Sequence, residues 1–299
     1  MSWADKMMSG LRAVVRRGIP DNPWVKCERC HQTLFRRVVE QARGICPSCG
    51  AHFRIGHREY LNILLDDGRF RELGAEVRST DSLDFKDLIP YSDRLKEMKR
   101  KTGIEAAVLT GLGRIDGRDV GIGIHEMGFI GGSLGSAEGE RICRLVDRCM
   151  EDRLPLIVVC RSGGARMQEG ARSLMQMAKV NAKLARFSRM GLPYIPILAD
   201  PTTAGVAASY GMVGDVTIAE PDALIGFTGE RVTGESVDPD ELEKLRQVQR
   251  AEHQLKNGFV DLIVRRDEMK RRVSQILGLL CDGTPGSRPL DKRGTHGER

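Results

Sequence analysis

The chain predicts an α/β domain with its site at the carboxyl ends of the strands, preceded by a small module built on cysteines. Three observations carry that expectation. Short apolar strands alternate with helical stretches from residue 106 onward, glycines cluster where those strands end, and four cysteines near the start follow the spacing C-x2-C-x15-C-x2-C.

The cysteines are Cys27, Cys30, Cys46 and Cys49. Each C-x2-C pair forms a tight knuckle that aims two thiolates at one ion, and the excursion between them is long enough for a hairpin that brings the knuckles together. One structural Zn2+ in a zinc ribbon is the expectation. A redox dithiol or a disulfide pair is the rival, but two matched knuckles within so short a stretch favour metal. Short strands are expected over 33–35 and 37–39, with turn chemistry at Gly44 and around Pro47. Four thiolates already complete a tetrahedron, so His31 and His52 read as solvent-facing.

Composition bounds the rest. A length of 299 residues suits a small module plus one larger domain, and 34 glycines with only 5% aromatics give few stacking surfaces of the kind single-stranded nucleic acid binders use. Cys143, Cys149, Cys160 and Cys281 lack knuckle spacing, so a reduced, cytoplasmic protein is expected. No secretory signal and no membrane span are read in the chain. Residues 1–58 hold eleven Lys or Arg against four Asp or Glu, which leaves the remainder near neutral. A basic module can contact phosphate, weakly on a nucleic acid or on a nucleotide-bearing substrate, and a solvated basic face fits equally well.

In order along the chain, the leucine spacing predicts a helix over 58–71 closed by Gly68, and a polar, irregular connector over 74–103. Strands over 107–112 and 120–124 flank an Asp-Gly hairpin signal at Asp116 and Gly117. A helix over 136–152 leads to an all-apolar strand over 156–160, and the unit repeats with a helix over 172–190 and a strand over 194–199. A short helix over 206–211, strands over 216–219 and 223–227, and charged helices over 239–258 and 267–280 complete the series. The expected division is a leader over 1–22, the ribbon over 23–57, the α/β domain over 58–281 and a disordered tail over 282–299.

The chemistry belongs in the glycine-rich strand ends at 128–136, 162–168 and 201–206. Each follows a strand and opens a helix, which aims unpaired backbone N–H groups at one spot and favours an anion or an oxygen that becomes negative. Neither G-x-x-x-x-G-K-[ST] nor G-x-G-x-x-G occurs there. The histidines outside the ribbon have no recognisable nucleophile partner, and His125 reads as a satisfied core or loop residue. An enzyme of this kind stabilises an enolate with backbone donors and leaves the proton acceptor to its substrates.

Ser-Gly-Gly-Ala-Arg-Met-Gln-Glu at 162–169, Ser-Leu-Met-Gln-Met-Ala-Lys at 173–179, Gly-Leu-Pro-Tyr-Ile at 191–195 and Asp-Pro-Thr-Thr at 200–203 closely resemble the carboxyltransferase β subunit of bacterial acetyl-CoA carboxylase. The four-cysteine ribbon fits the same family, and the resemblance runs from about Trp24 to Arg266. It implies a crotonase-like (ClpP/crotonase) superhelical domain. It also implies transfer of a carboxyl group from carboxybiotin, borne on the biotin carboxyl carrier protein, to acetyl-CoA, giving malonyl-CoA for fatty acid synthesis. A homologous α subunit in an α2β2 assembly, and biotin carboxylase, are the implied partners. By the same resemblance Gly163 and Gly164 are the expected oxyanion donors. Gly131, Gly132, Ser133, Arg166 and Gly205 are expected at the acyl-CoA, with a structural salt bridge as the rival role for Arg166.

Two departures stand out. Ala204 occupies a position where the family usually carries glycine, and the segment 230–258 differs from the family's usual run, losing a Pro and a Gly so that one helix is expected to continue through a former turn. Another acyl-CoA carboxyltransferase or a biotin-dependent decarboxylase subunit is the nearest alternative. A nucleic-acid-binding zinc protein is the more distant one.

Overall fold

The computed structural model describes residues 23–227, 244–245 and 247–281. The expected leader over 1–22, the tail over 282–299 and part of the altered stretch over 230–258 lie outside the described residues. The chain divides into two compact units between Arg54 and Ile55.

In the first unit β1 (Trp24–Lys26) pairs antiparallel with β2 (Thr33–Phe35), with Val25 opposite Leu34. Residues 37–39 are helical where the sequence predicts a strand, within α1 (Arg36–Gln41). Two adjacent valines favour extended backbone locally. Here Val39 is buried while Val38 is 44% exposed, and the amides of Ala42 and Gly44 close the turn onto the carbonyls of Val38 and Val39 at 3.0 and 2.8 Å.

The second unit is built on an eight-stranded sheet. Helix α2 (His57–Leu64) stops short of the predicted end, because Asp67 and Gly68 both take positive φ and turn the chain into β3 (Phe70–Leu73). The connector is not wholly irregular: α3 (Tyr91–Thr102) crosses it, entered at Pro90 and stopped by Gly103 in the left-handed region. Tyr91 is its one buried residue, so no apolar stripe marked this helix in the sequence. β4 (Val108–Ile115) and β5 (Arg118–His125) form the predicted hairpin, antiparallel to each other, with β3 antiparallel to β4.

Parallel strands follow. α4 (Ser136–Asp152) connects β5 to β6 (Leu156–Ser162), and α5 (Ala171–Arg189) connects β6 to β7 (Tyr194–Thr203). A single turn, α6 (Ala204–Ala207), then leads to β8 (Ile218–Ala219) and β9 (Ile225–Gly226), both parallel to β7. The chain closes with α7 (Ala251–Lys256), β10 (Leu262–Ile263) and α8 (Arg266–Cys281).

The helix predicted over 239–258 is interrupted within the described residues. Gln249 accepts from the Ile225 amide at 2.7 Å and the Ala251 amide donates to Ala223 at 2.9 Å, so 249–251 pair with the β9 segment instead of continuing a helix.

Every residue of β6 is buried, and its side chains alternate between two cores. Leu156, Val158 and Cys160 join α4 and α5 on one face, whereas Ile157 and Val159 join α2 and α8 on the other. Burial on both faces explains the uninterrupted apolar run that the sequence shows there.

Candidate active site

β5, β6 and β7 are neighbours, so the three glycine-bearing loops leave the same edge of the sheet. In the first loop Ile130, Gly131 and Gly132 take φ of +44°, +62° and +65°, a full left-handed turn. A Cβ on Gly132 would lie 2.2 Å from the Arg161 carbonyl oxygen, so no other residue fits, and the backbone there is packed against β6. A Cβ on Gly131 would meet nothing within 4 Å, which places Gly131 on open space.

In the second loop the amides of Gly163 and Gly164, the expected oxyanion donors, both have partners within the protein. The Gly163 amide donates to the Gly131 carbonyl at 2.9 Å and the Gly164 amide donates to Ser162 Oγ at 3.0 Å, so both are engaged inside the protein. The next residue differs. Leu134 and Ala165 form a parallel bridge in which the Leu134 amide donates to Gly164 O and the Arg166 amide donates to Leu134 O, each at 2.8 Å. That pattern turns the Ala165 amide away from Leu134, and it makes no hydrogen bond among the described residues. A Cβ on Gly205 would sit 3.3 Å from the Ala165 nitrogen and 3.1 Å from Met177 Sδ. Glycine at 205 therefore keeps the space beside that amide clear.

The third loop is tied to the second. Thr202 Oγ1 donates to Cys160 O at 2.6 Å, Thr203 Oγ1 donates to Ser162 O at 3.1 Å, and a Cβ on Gly164 would lie 2.7 Å from the Ala204 methyl. Ala204 takes φ of +50°, so the position retains the left-handed conformation although it carries a side chain.

Arg166 and Ser133 are not at an open surface. The Arg166 guanidinium is fully buried and every donor is used: Nε to Ser133 Oγ at 3.0 Å, Nη2 to Ser133 O and Glu138 at 2.7 Å each, and Nη1 to Ser79 Oγ at 2.8 Å and Tyr91 OH at 3.2 Å. Burial opposes ionisation of Glu138, but the Arg166 charge first, with the Ala107 amide, holds its carboxyl below the usual range. This is the structural salt bridge, the rival to substrate binding. Ser133 serves the same knot.

His125 is fully buried and burial pushes its imidazole down to about 4, so it is neutral at physiological pH, and both ring nitrogens are engaged, Nδ1 with Gly132 O and Nε2 with the Tyr210 hydroxyl. Its neighbour Glu126 accepts from His57 Nδ1 at 2.7 Å and from the amides of His57 and Gly128 at 2.9 and 2.7 Å. Burial raises the Glu126 carboxyl, yet these donors outweigh it and bring it down to about 2.

In the ribbon, the four cysteine sulfurs lie within 4.8 Å of one another, with Cys27 and Cys49 at 3.7 Å and Cys30 and Cys46 at 3.8 Å. A tetrahedron with Zn–S bonds of about 2.3 Å has sulfur–sulfur edges of about 3.8 Å. The donor set fits that ion. His31 is exposed and His52 half-buried, and neither joins the cluster.

Comparison with known proteins agrees with both units. A carboxyl transferase domain model matches residues 56–290, and an acetyl-CoA carboxylase zinc finger domain model matches 24–49. The acetyl-coenzyme A carboxylase carboxyl transferase subunit beta of Citrifermentans bemidjiense is 46% identical over 263 residues, covering 88% of this chain and 92% of that protein. The chain belongs to this carboxyl transferase family.

The subunit beta of Prosthecochloris aestuarii is 42% identical over 94% of this chain and 99% of its own length. Among solved structures, transcarboxylase 12S with methylmalonyl-coenzyme A and methylmalonic acid bound is 25% identical at a TM-score of 0.59, over 93% of this chain and 48% of that one. A Pseudomonas malonate decarboxylase hetero-tetramer in complex with malonate shares the fold at 23% identity and a TM-score of 0.59, over 80% and 86% of the two chains. The crotonase-like fold and the zinc ribbon expected from sequence are thereby established.

Three features of this carboxyl transferase site were missed in the sequence: the open Ala165 amide, the buried contact of His125 with Tyr210, and the strained Ile130. Ala165 lies inside the Ser-Gly-Gly-Ala-Arg motif, and only bridge geometry shows that its amide, not those of the glycines, is open. His125 and Tyr210 are 85 residues apart and no spacing joins them.

Proposed function

We propose that this chain, in the cytoplasm and paired with a homologous α subunit, transfers a carboxyl group to acetyl-CoA to form malonyl-CoA. Its place in the acetyl-CoA carboxylase family supports this reading, and the observation that carries the chemistry is the unpaired Ala165 amide beside Gly205, at the carboxyl end of β6. Removing a proton from the methyl of a thioester places negative charge on the carbonyl oxygen. A preorganised N–H aimed there lowers the barrier, at about 3 to 4 kcal/mol per donor in other enzymes.

Carboxybiotin, brought by its carrier protein, supplies the carboxyl group and the proton acceptor. The new C–C bond joins the thioester α-carbon to the transferred carboxyl, and the α-proton ends on the nitrogen from which that carboxyl departed. No side-chain base is needed, in keeping with a buried His125 whose two ring nitrogens are both engaged and a Glu126 fully occupied by donors. Gly131 and Gly163 line the open approach, where a Cβ on Gly163 would meet only Gly131 O, at 3.6 Å. Zn2+ on Cys27, Cys30, Cys46 and Cys49 holds the ribbon together and takes no part in transfer.

The test is to co-express the chain with its α subunit and supply labelled carboxybiotin on the carrier. Labelled malonyl-CoA is expected only when acetyl-CoA is present. Preferential labelling of propionyl-CoA, or label lost as free carbon dioxide irrespective of acceptor, would instead favour a related carboxyltransferase or decarboxylase subunit.

A further inference from the structure

We propose that His125 and Tyr210 form a buried positioning relay that clamps the left-handed turn Ile130–Gly132 and thereby sets the two loops of the carboxyl-transfer site, an inference that rests on the function proposed above. The turn needs a clamp. Three successive residues at positive φ, one of them the β-branched Ile130, occupy a region that L-residues enter at a cost, and such conformations persist only where surrounding contacts over-determine them.

The contacts are specific. His125 Nδ1 lies 3.0 Å from the Gly132 carbonyl oxygen, and Nε2 lies 2.8 Å from the Tyr210 hydroxyl. A carbonyl only accepts, so Nδ1 carries the proton and Nε2 accepts from Tyr210, which fixes the tautomer. Tyr194 OH in turn donates to the Tyr210 carbonyl at 2.7 Å. His125 and Tyr210 are both fully buried and their rings stack at 5.9 Å between centroids, so water does not compete for these bonds.

From Gly132 the restraint passes onward through the backbone. The Gly131 carbonyl accepts the Gly163 amide at 2.9 Å, and two residues further on stands Ala165. Leu134, which follows the turn, bridges Ala165 directly. Two loops meant to hold a substrate oxygen are thus held in register by one imidazole that never touches the substrate. His125 is a positioning residue, and its removal should move the turn while leaving the sheet in place.

The experiment uses the full chain assembled with its α subunit and carboxybiotin donor, comparing wild type with His125→Leu, His125→Asn and Tyr210→Phe. Asparagine places an N–H one bond from Cγ, as Nδ1 is, so it restores the donor to Gly132 that leucine lacks. His125→Leu is expected to lower kcat by about 30- to 100-fold with KM for acetyl-CoA within about threefold, since a displacement of about 1 Å at a catalytic group costs on that order. His125→Asn should recover to within about fivefold of wild type, and Tyr210→Phe should fall between the two.

Hydrogen exchange gives a readout independent of activity. Amides over 130–135 should exchange about tenfold faster in His125→Leu, with β6 and β7 unchanged. Equal activity of the leucine and asparagine variants, exchange over 130–135 like that of wild type, or faster exchange across the whole sheet would each overturn the relay. A wild-type assembly that makes no malonyl-CoA would overturn the proposed reaction instead, and the exchange comparison would still decide whether the clamp exists.

Discussion

Arg166→Met should destabilise the larger unit severely without selectively impairing acetyl-CoA binding. The guanidinium is fully buried against Glu138, which is itself fully buried at 2.7 Å. Removing the cation leaves a carboxylate whose remaining donors include the amides of Ala107 at 2.6 Å and Gly135 at 2.9 Å. Breaking one partner of such a pair costs about 3 to 5 kcal/mol. A domain of this size loses about 2 to 4 °C per kcal/mol, so a fall of about 6 to 20 °C in Tm is expected.

Thermal unfolding by circular dichroism measures the fall. The double variant Arg166→Met with Glu138→Gln should regain at least half of it, because the stranded charge is gone. At temperatures where Arg166→Met remains folded, KM for acetyl-CoA should stay within about threefold of wild type. A Tm within 2 °C of wild type (about 0.5 to 1 kcal/mol, by the same scaling) together with a KM more than tenfold higher would refute the reasoning and return Arg166 to the substrate.

Three further outcomes follow from the same geometry. Cys46→Ser, or prolonged chelation, should remove one zinc per chain and unfold the ribbon, since structural Zn2+ contributes about 10 to 16 kcal/mol in small zinc peptides. Metal analysis and limited proteolysis over 24–54 check it, and a protease-resistant ribbon without metal would count against the assignment. Glu126 is held down to about 2 from its usual 4.5, so between those values the unfolded chain binds the extra proton. The stabilisation is full above about pH 4.5 and lost as pH falls towards 2, a contribution on the order of 3 kcal/mol, and urea titrations of Glu126→Gln should lack that slope. Ala204→Gly should raise Tm by about 1 to 3 °C, because an alanine in the left-handed region costs about 1 to 2 kcal/mol, against the roughly 0.5 to 1 kcal/mol entropy cost of glycine; a fall in Tm would mean the methyl contact with Gly164 is favourable.

The parts of the fold that burial dictates were legible from sequence. The strand over 156–160 declared itself because both its faces are covered, and α4 spans the same 136–152 that its spacing predicts. Elements fixed by little burial were not. Tyr91 alone anchors α3, and Val39 alone turns 37–39 from strand to helix. At the site, the cysteine spacing specified its own tetrahedron because four ligands of one kind lie within 23 residues. The glycine loops pointed to the proposed site but not to which amide is open. That choice depends on Leu134 bridging Ala165 and on Gly131 capturing the Gly163 amide, pairings between loops about 30 residues apart. Arg166 carried a charge that reads equally as a ligand for substrate or as half of an ion pair, and only burial separates the two.

The most direct test of the central claim replaces single backbone amides. Semisynthesis that substitutes lactic acid for Ala165 turns that amide into an ester and deletes one N–H while keeping the side chain. The account predicts a fall in kcat of about 100- to 1,000-fold with KM for acetyl-CoA nearly unchanged. The same exchange at Gly163, whose amide is held by Gly131, should cost much less. Full activity of the Ala165 ester, or a larger loss from the Gly163 ester, would contradict it.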